Sequence, residues 1–233
     1  MDDTALQHWS LRVSETRSAR LTYRLCRAFV RSVGYWFYRV KIRGAERLST
    51  PGPVIIAPVH RSLLDIPIVG AVSERRIRSL AKIDLFSPRP LGWFMSALSG
   101  YPVRRGTADR EALRLSIMFL ERGEMMVVYP EGTRGSGPEV GEIFDGCAYL
   151  AGKAGARVVP VGIAGTEDAM PKNRWIPRRS NVVIHVGEPL DPPSSGGSRV
   201  TKSDRAAFSE QLRVELQKLF TSARLEAGDT AGE

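Results

Sequence analysis

The stretch VIIAPVHRSLLDIPIVGAV, residues 54–72, sets the pattern of the fold. It opens with an apolar run at 54–59 that is β-branched at its start, as is typical of a buried strand in an α/β sheet. The segment IPIVGAV then predicts a helix, where Pro67 is tolerated only in the first turn because its missing N–H costs nothing there. His60 therefore follows the strand directly, and Asp65 lies at the start of the helix.

The rest of the chain alternates strand patterns with helix patterns. Strands are predicted at 77–81, 101–105, 124–130, 157–163 and 181–186, and helices at 107–123 and 146–155. This alternation predicts an α/β fold: a single domain with a mixed, largely parallel sheet flanked by helices, preceded by an N-terminal amphipathic helix.

The predicted organisation has six segments. We expect a disordered tail at 1–17, an N-terminal helical segment at 18–47, the core domain at 48–190, a linker at 191–204, a C-terminal helix at 205–224 and a second disordered tail at 225–233.

The composition favours an acidic partner. The net charge is +9 and the sequence pI is about 10.0, which suits nucleic acid, anionic lipid or a phosphorylated substrate, although a soluble protein with a basic surface would look the same. The two cysteines are far apart, so a metal site or a disulfide framework is not expected. The longest uncharged run, residues 90–103, is too short for a spanning helix, which needs about 20 apolar residues.

The predicted N-terminal helix, residues 18–40, has two contrasting faces. A helical spacing brings four arginines into one stripe: Arg20, Arg24, Arg27 and Arg31. The opposite side carries Leu25, Phe29, Val33 and Trp36. Such a helix is typical of a membrane interface. The alternative is an ordinary amphipathic helix that packs on its own domain and leaves its arginines in solvent.

His60 and Asp65 are candidates for general-base chemistry. In one continuous helix they would lie about 140° apart, but a turn between strand and helix lets them meet. Asp65 could then hold the imidazole in one tautomer and leave its other nitrogen free as a base. The alternative is local, because Ser62 and Asp65 fit the S-x-x-D pattern of a helix cap.

Three further stretches carry weaker signals. In YPEGTRGSG, residues 129–137, glycines let backbone amides approach a ligand and Arg134 can hold a phosphate, or the stretch is a plain surface loop. In YPVRRG, residues 101–106, only one of two adjacent arginines can face a shared site. Residues 158–165 suggest a strand with an irregularity at Pro160.

Taken together and in this order, the motifs resemble those of the glycerolipid acyltransferase family, whose best-known members are the 1-acylglycerol-3-phosphate acyltransferases. The family's first motif, a histidine and an aspartate separated by four residues, is matched by His60 and Asp65. Its third, Pro-Glu-Gly-Thr-Arg, is complete at 130–134, and its fourth, Val-Pro-Val, is present at 159–161. The resemblance covers residues 18–190.

The chain departs from the family pattern at two points. Val59 stands where Asn is common before the histidine. The second motif ends in Val, any residue, Arg, which places Arg105 in the last position, but its usual Gly falls at Ser99 and Gly100 is one position away.

The resemblance implies acyl transfer from a thioester to a hydroxyl, with 1-acylglycerol-3-phosphate as the default acceptor. It implies that His60 is the general base and that Asp65 stabilises the imidazolium. It implies that two arginines hold the acceptor phosphate in a pocket shaped by three neighbours: Arg105 and Arg134, with Glu131, Gly132 and Thr133. Neither a G-x-S-x-G elbow nor a cysteine beside a base is present, which favours direct transfer.

The implied partners are an acyl donor, a lysophospholipid and a membrane surface with anionic lipid, with no specific nucleic acid. The donor is acyl-CoA or acyl-carrier protein, with no cofactor and no metal. Since the acceptor is a lipid, we expect a peripheral protein at the cytoplasmic face of a membrane. The candidate docking segments are the N-terminal helix and KNRWIPRR, residues 172–179.

Other functions stay open on the sequence alone. The acceptor could be glycerol-3-phosphate, another lysophospholipid or a glycolipid. A non-catalytic lipid-binding member or a nucleic-acid-binding protein would belong to a different class, although no nucleic-acid-binding motif is present.

Overall fold

The computed structural model describes residues 2–104, 110–172, 176–193 and 200–228. In this part of the chain the strands form one seven-stranded sheet in the order β1-β7-β6-β2-β5-β3-β4. The strands are β1 Lys41–Arg43, β2 Val54–Pro58, β3 Ile77–Lys82, β4 Gly100–Val103, β5 Met125–Val127, β6 Arg157–Ala164 and β7 Val183–Val186. The predicted α/β class with a mixed, largely parallel sheet is confirmed.

Helices cover both faces of this sheet. They are α1 Asp3–Ser14, α2 Arg17–Phe29, α3 Tyr35–Phe37, α4 Asp65–Gly70, α5 Arg89–Ala97, α6 Arg110–Glu121, α7 Gly146–Ala154, α8 Thr166–Ala169 and α9 Lys202–Ala227. A π-helical turn, Val30–Gly34, joins α2 to α3, and 3₁₀ turns lie at Ala45–Ser49 and Ile83–Phe86.

The strand directions bring the motif loops to one side. β2, β3, β4, β5 and β6 are parallel, whereas β7 runs antiparallel to β6 and β1 runs parallel to β7. The ends of β2, β5 and β6 therefore lie at the same edge as the starts of β7 and β1. This carboxyl edge of the sheet is where open α/β sheets hold their ligands.

The core is divided by the sheet according to the two-residue period of a strand. On β2, Val54 and Ile56 face the layer that contains α4, and Ile55 and Ala57 face the layer of α6, α7 and α9. All four side chains are fully buried. An apolar central strand with helices on both faces is what the opening stretch predicts.

Two N-terminal predictions are wrong. The expected disordered tail at 1–17 contains α1, whose N-terminus is capped by Asp2 and whose Gln7 and Ser10 side chains donate to the backbone of β4. The helix buries polar side chains, so an apolar periodicity could not reveal it. The expected helical segment at 18–47 ends early, because β1 joins the sheet edge beside β7.

The C-terminal boundaries also shift. The predicted helix at 205–224 extends over Lys202–Ala227, with a capping box at Thr201 and Asp204 and a left-handed Gly228 at its end. It takes residues from the predicted linker at 191–204 and from the predicted tail at 225–233. Residues 194–199 and 229–233 lie outside the described part.

The N-terminal amphipathic segment pairs three of its four stripe arginines with carboxylates of the protein. Arg20 pairs with Glu15, and Arg27 and Arg31 both pair with Glu74. The apolar side is exposed: Leu21, Leu25, Phe29, Val33 and Trp36. The alternative is therefore wrong for the apolar residues, which do not pack on the domain, whereas Arg20, Arg24 and Arg31 are exposed as it expected. None of the described helices is long and apolar enough to cross a membrane.

Candidate active site

His60 and Asp65 meet at the carboxyl edge of the sheet. The strand β2 ends at Pro58, two residues before His60, and α4 begins at Asp65. The loop between them folds back, so that His60 Nδ1 lies 2.8 Å from Asp65 Oδ2. The His60 side chain is 9% exposed and the Asp65 side chain is completely buried. The contact occupies Nδ1 and leaves Nε2 as the imidazole nitrogen available to a substrate.

Asp65 also holds the loop backbone. Its Oδ2 accepts hydrogen bonds from the amides of Arg61 (2.7 Å) and Ser62 (2.8 Å). The contact with Ser62 is the half of the predicted capping pattern in which the acid reaches back to the amide. The Ser62 hydroxyl accepts from the amide of Leu64 at 3.3 Å and donates to the carbonyl of Met170. The cap and the histidine partner are thus two uses of one carboxylate.

Tyr129 supports the imidazole from a second loop. Its ring stacks on His60 with 4.1 Å between centroids, two residues beyond the end of β5. Burial, together with the nearby charge of Asp65, raises the pKa of Tyr129 well above its usual value. The phenol therefore stays protonated at neutral pH and restrains the His60 ring by packing.

The structure places Glu131 differently from the role that the resemblance implies. Its carboxylate accepts from the amide of His60 (3.1 Å), from Arg61 Nη1 (2.9 and 3.0 Å) and from the amide of Gly141 (3.1 Å). The side chain is only 5% exposed. Its oxygens thus face protein donors, and the residue fixes the backbone of His60.

Arg61 is the residue that sequence reasoning missed. Its side chain is 1% exposed and joins the first motif to the third through Glu131. It also donates to the carbonyls of His60 and Glu139 and lies 4.8 Å from the ring centre of Phe220 on α9. The one signal available in the sequence was the position of Arg61 directly after His60, inside the first motif.

Gly135 makes room for this arginine. A Cβ atom at Gly135 would lie 2.2 Å from Arg61 Nη1, and the Gly135 amide donates to the carbonyl of His60 at 2.8 Å. Gly135 therefore serves close packing of the two loops.

The remaining third-motif residues face outward. Gly132 adopts a left-handed φ of 67°, which turns the loop, and Thr133 is exposed next to it. Arg134 is half-buried and has no hydrogen-bond or ion-pair partner within the described residues. It is thus free to bind an anion.

The second motif is only partly visible. Arg105 lies outside the described residues. Its neighbour Arg104 pairs with Asp3 of α1. Ser99, which stands where the family usually has Gly, adopts a φ of 66°. Glycine takes this backbone conformation without cost, which explains the family preference at that position.

The fourth motif lies on β6, which pairs with the strand that leads to the first motif. Pro160 of β6 pairs in register with Ala57 of β2, and Val161 lies opposite Pro58. The Val161 carbonyl accepts from the amide of Val59, one residue before His60. Val59, which replaces the common Asn, is fully buried in the core.

Neither metal ligands nor a thiol nucleophile accompany the pair. Across the described ranges, no group of three His, Cys, Asp or Glu side chains could hold a metal ion. Cys147 is buried on α7, which raises the pKa of its thiol to about 12, and Cys26 lies on α2.

Comparison with known proteins agrees with the motifs. The acyltransferase family model matches residues 39–164. A chloroplast 1-acyl-sn-glycerol-3-phosphate acyltransferase of Arabidopsis thaliana is 29% identical over 160 residues, covering 67% of this chain and 45% of that protein. The Bacillus subtilis protein of that name is 25% identical over 181 residues, covering 77% and 87%.

The fold is shared with a solved structure. The crystal structure of the 1-acyl-sn-glycerophosphate acyltransferase PlsC from Thermotoga maritima matches with a TM-score of 0.70 and 26% identity, covering 89% of this chain and 85% of that one. The chain spans about half the length of the plant and algal curated relatives that it matches. Because the family model covers more than half of the 233 residues, the chain belongs to the acyltransferase family.

Proposed function

We propose that the protein transfers a fatty acyl group from a thioester to the free hydroxyl of a lysophospholipid, with 1-acylglycerol-3-phosphate as acceptor and phosphatidic acid as product. The observation that carries this proposal is the buried His60–Asp65 contact of 2.8 Å at the carboxyl edge of the sheet. The names of the relatives from Arabidopsis thaliana, Bacillus subtilis and Thermotoga maritima support the choice of acceptor.

In the proposed mechanism His60 Nε2 takes the proton of the acceptor hydroxyl while the hydroxyl oxygen attacks the thioester carbonyl. Asp65 stabilises the imidazolium, because its Oδ2 already bonds Nδ1. The tetrahedral intermediate then collapses with cleavage of the C–S bond, and the imidazolium returns its proton to the thiolate. No acyl-enzyme is needed, since the buried Cys147 stays protonated with a pKa of about 12.

Arg134 is the proposed ligand of the acceptor phosphate. It has no protein partner within the described residues. The next residue, Gly135, donates its amide to the carbonyl of His60, so Arg134 lies close to the His60 loop. A guanidinium binds a phosphate with two parallel hydrogen bonds. Gly132 and Thr133 would shape this pocket, and Arg105 is proposed as its second arginine on the resemblance alone.

Membrane contact is assigned to the outward face of α2. Leu25 and Phe29 of α2 and Trp36 of α3 are all more than 60% exposed. Arg20, Arg27 and Arg31 pair with carboxylates of the protein. An exposed apolar helix face of this kind inserts into a bilayer interface. The protein would then work as a peripheral enzyme at the cytoplasmic face, with acyl-CoA or acyl-carrier protein delivering the donor.

The test is an assay of the purified full chain with a panel of acceptors and both donor classes. The panel contains 1-acylglycerol-3-phosphate, glycerol-3-phosphate, other lysophospholipids and a glycolipid in neutral detergent micelles. We expect phosphatidic acid to form fastest, and His60→Ala to remove that turnover. Turnover that persists in His60→Ala would contradict the mechanism, and preference for an acceptor that lacks a phosphate would contradict the substrate.

A further inference from the structure

A second cationic cavity lies at the carboxyl edge, apart from Arg134. Its volume is about 470 Å³, and it opens between the end of β6 and the starts of β7 and β1. The residues that line it include Arg39, Gly165, Asp168, Arg179, Asn181 and Gly228. The third-motif loop does not contribute to it, so this cavity is not the proposed acceptor-phosphate pocket.

The two arginines in this cavity differ from Arg20 and Arg27 of α2, which pair with carboxylates. Neither Arg39 nor Arg179 has an ion pair to a carboxylate in the part of the chain that the structure describes. Among the described lining residues Asp168 is the single carboxylate, so the described lining carries two guanidinium groups against one acid. Arg178 binds the carbonyls of Asp168 and Ala169 through its Nε and amide, which fixes the backbone next to Arg179.

The backbone at Arg39 supports a role for its side chain. Arg39 follows α3 with a φ of 46°, and the amide of Val40 bonds the carbonyl of Tyr35. This is the position after a helix where glycine is preferred, because a Cβ atom is strained there. A strained non-glycine residue that opens onto a cavity points to a use for the side chain.

The surroundings of the cavity suit a bilayer surface. The Arg179 guanidinium lies over the ring of Trp36 at 5.6 Å, and Trp36 is 69% exposed at the end of the apolar helix face. Ile176, on the same segment as Arg179, is 83% exposed. A tryptophan with an arginine beside it belongs at the headgroup level, where the ring meets acyl chains and the cation meets phosphate.

We infer that the cavity of Arg39 and Arg179 binds the phosphate of an anionic phospholipid in the membrane that the protein contacts. The inference rests on the membrane contact of the proposed function and adds a headgroup preference to it. Two guanidinium groups at one cavity supply planar, paired donors that match phosphate oxygens. Anionic lipid then strengthens a contact that the apolar face of α2 establishes.

The experiment compares vesicles of phosphatidylcholine alone with vesicles that also contain phosphatidylglycerol. Full-length wild type and the double variant Arg39→Gly/Arg179→Gln are sedimented with both kinds at low and high salt. Arg122→Gln is the matched control, because Arg122 is exposed at the opposite edge of the sheet and has no side-chain partner among the described residues. Glycine relieves the backbone at position 39, so the melting temperature of Arg39→Gly should equal or exceed that of wild type.

We expect the double variant to lose the preference for anionic vesicles by roughly five-fold for each arginine, while its binding to neutral vesicles stays unchanged. The control should keep the full preference. A double variant that retains the preference, or one that loses neutral binding equally, would overturn the inference.

The soluble donor is the competing source of phosphate. Adding CoA to wild type on anionic vesicles should leave the protein bound. Release by CoA in wild type would assign the cavity to the donor and overturn the lipid assignment. A wild type that binds neither kind of vesicle would refute both the inference and the membrane contact, whereas acyl transfer in micelles is refuted only by lack of turnover.

Discussion

The carboxyl edge of the sheet and the N-terminal helix use arginine in opposite ways. At the edge, Arg61 is buried and ties two motif loops together, whereas Arg134 has no partner among the described residues. In the N-terminal segment, Arg27 of α2 and Arg31 of the π-helical turn share Glu74. The difference shows that the neighbours brought near by the fold decide whether an arginine joins buried loops, has no described partner or pairs at the surface.

The largest expected effect comes from the His60–Asp65 pair. His60→Ala should abolish turnover, and Asp65→Asn should lower kcat by about 10²–10⁴-fold, since the imidazole loses its charged partner. Because Asp65 Oδ2 also accepts from two loop amides, Asp65→Asn should lower the melting temperature as well. Steady-state kinetics and thermal unfolding check both effects. An Asp65→Asn protein with a lower melting temperature and full activity would leave only the capping role.

The next effect concerns Glu131 and Arg61. Every partner of the Glu131 carboxylate is a donor, so Glu131→Gln would place an amide N–H₂ against donors. Breaking a buried ion pair costs about 3–5 kcal/mol, which Arg61→Met should show in unfolding by denaturant. Both variants should lower kcat.

Separate effects on kcat and on the acceptor KM distinguish a positioning residue from a substrate ligand. Glu131→Gln should leave the acceptor KM almost unchanged, because its carboxylate faces the protein. The control is Glu139→Gln, an exposed acid whose carbonyl, and not its side chain, contacts Arg61. A Glu131→Gln protein with wild-type kcat and a raised acceptor KM would restore the phosphate-pocket role that the resemblance implies.

A smaller effect is expected at Arg134. Arg134→Ala should raise the acceptor KM by the loss of a charged hydrogen bond, about 1.5–3 kcal/mol, with less effect on the donor KM. Arg122→Ala is the control, since that arginine is exposed at the opposite edge. Equal changes in both KM values would show that Arg134 does not select the acceptor.

The N-terminal helix should respond to loss of its apolar face more than to loss of its charges. Leu25→Ser/Phe29→Ser/Val33→Ser should weaken binding to neutral vesicles by about ten-fold or more, because those side chains are exposed. Replacing the arginine stripe, Arg20, Arg24, Arg27 and Arg31, with Gln should mainly lower the melting temperature. The opposite ranking in a sedimentation assay would make the stripe the docking face.

The smallest effect is a pH dependence at Glu15. Burial raises the pKa of Glu15, but hydrogen bonds from Arg78 and Arg20 outweigh it and lower the pKa to about 2. A lowered pKa contributes stability above about 4.5, the unfolded value, and this contribution disappears as the pH falls toward 2. Since Glu15 is partly exposed, we expect at most about 1 kcal/mol.

The measurement is the difference in melting temperature between wild type and Glu15→Gln from pH 6 to pH 2.5. The difference should shrink as the pH falls. Glu142→Gln, an exposed acid with no ion pair in the described ranges, is the control. A difference that stays constant across this range would show that the ion pairs of Glu15 do not stabilise the fold.

The sequence by itself determined the local elements and the order of the motifs. Short apolar runs predict buried strands, and Pro67 indicates the first turn of a helix. His60 and Asp65 could therefore be placed on either side of one turn. The same turn explains why they meet. The family followed from four motifs in order, and the family model agrees.

Only the tertiary structure decided which neighbours each side chain meets. Periodicity identified the apolar side of the N-terminal segment but could not show that it stays exposed, because that depends on contacts such as Arg31 with Glu74, which is more than forty residues away. Arg61 could not be assigned without Glu131, and α1 could not be found because its buried side chains are polar and bond to β4. A pattern along the chain reports local geometry and burial, whereas a buried polar contact depends on a partner that only the folded chain brings near.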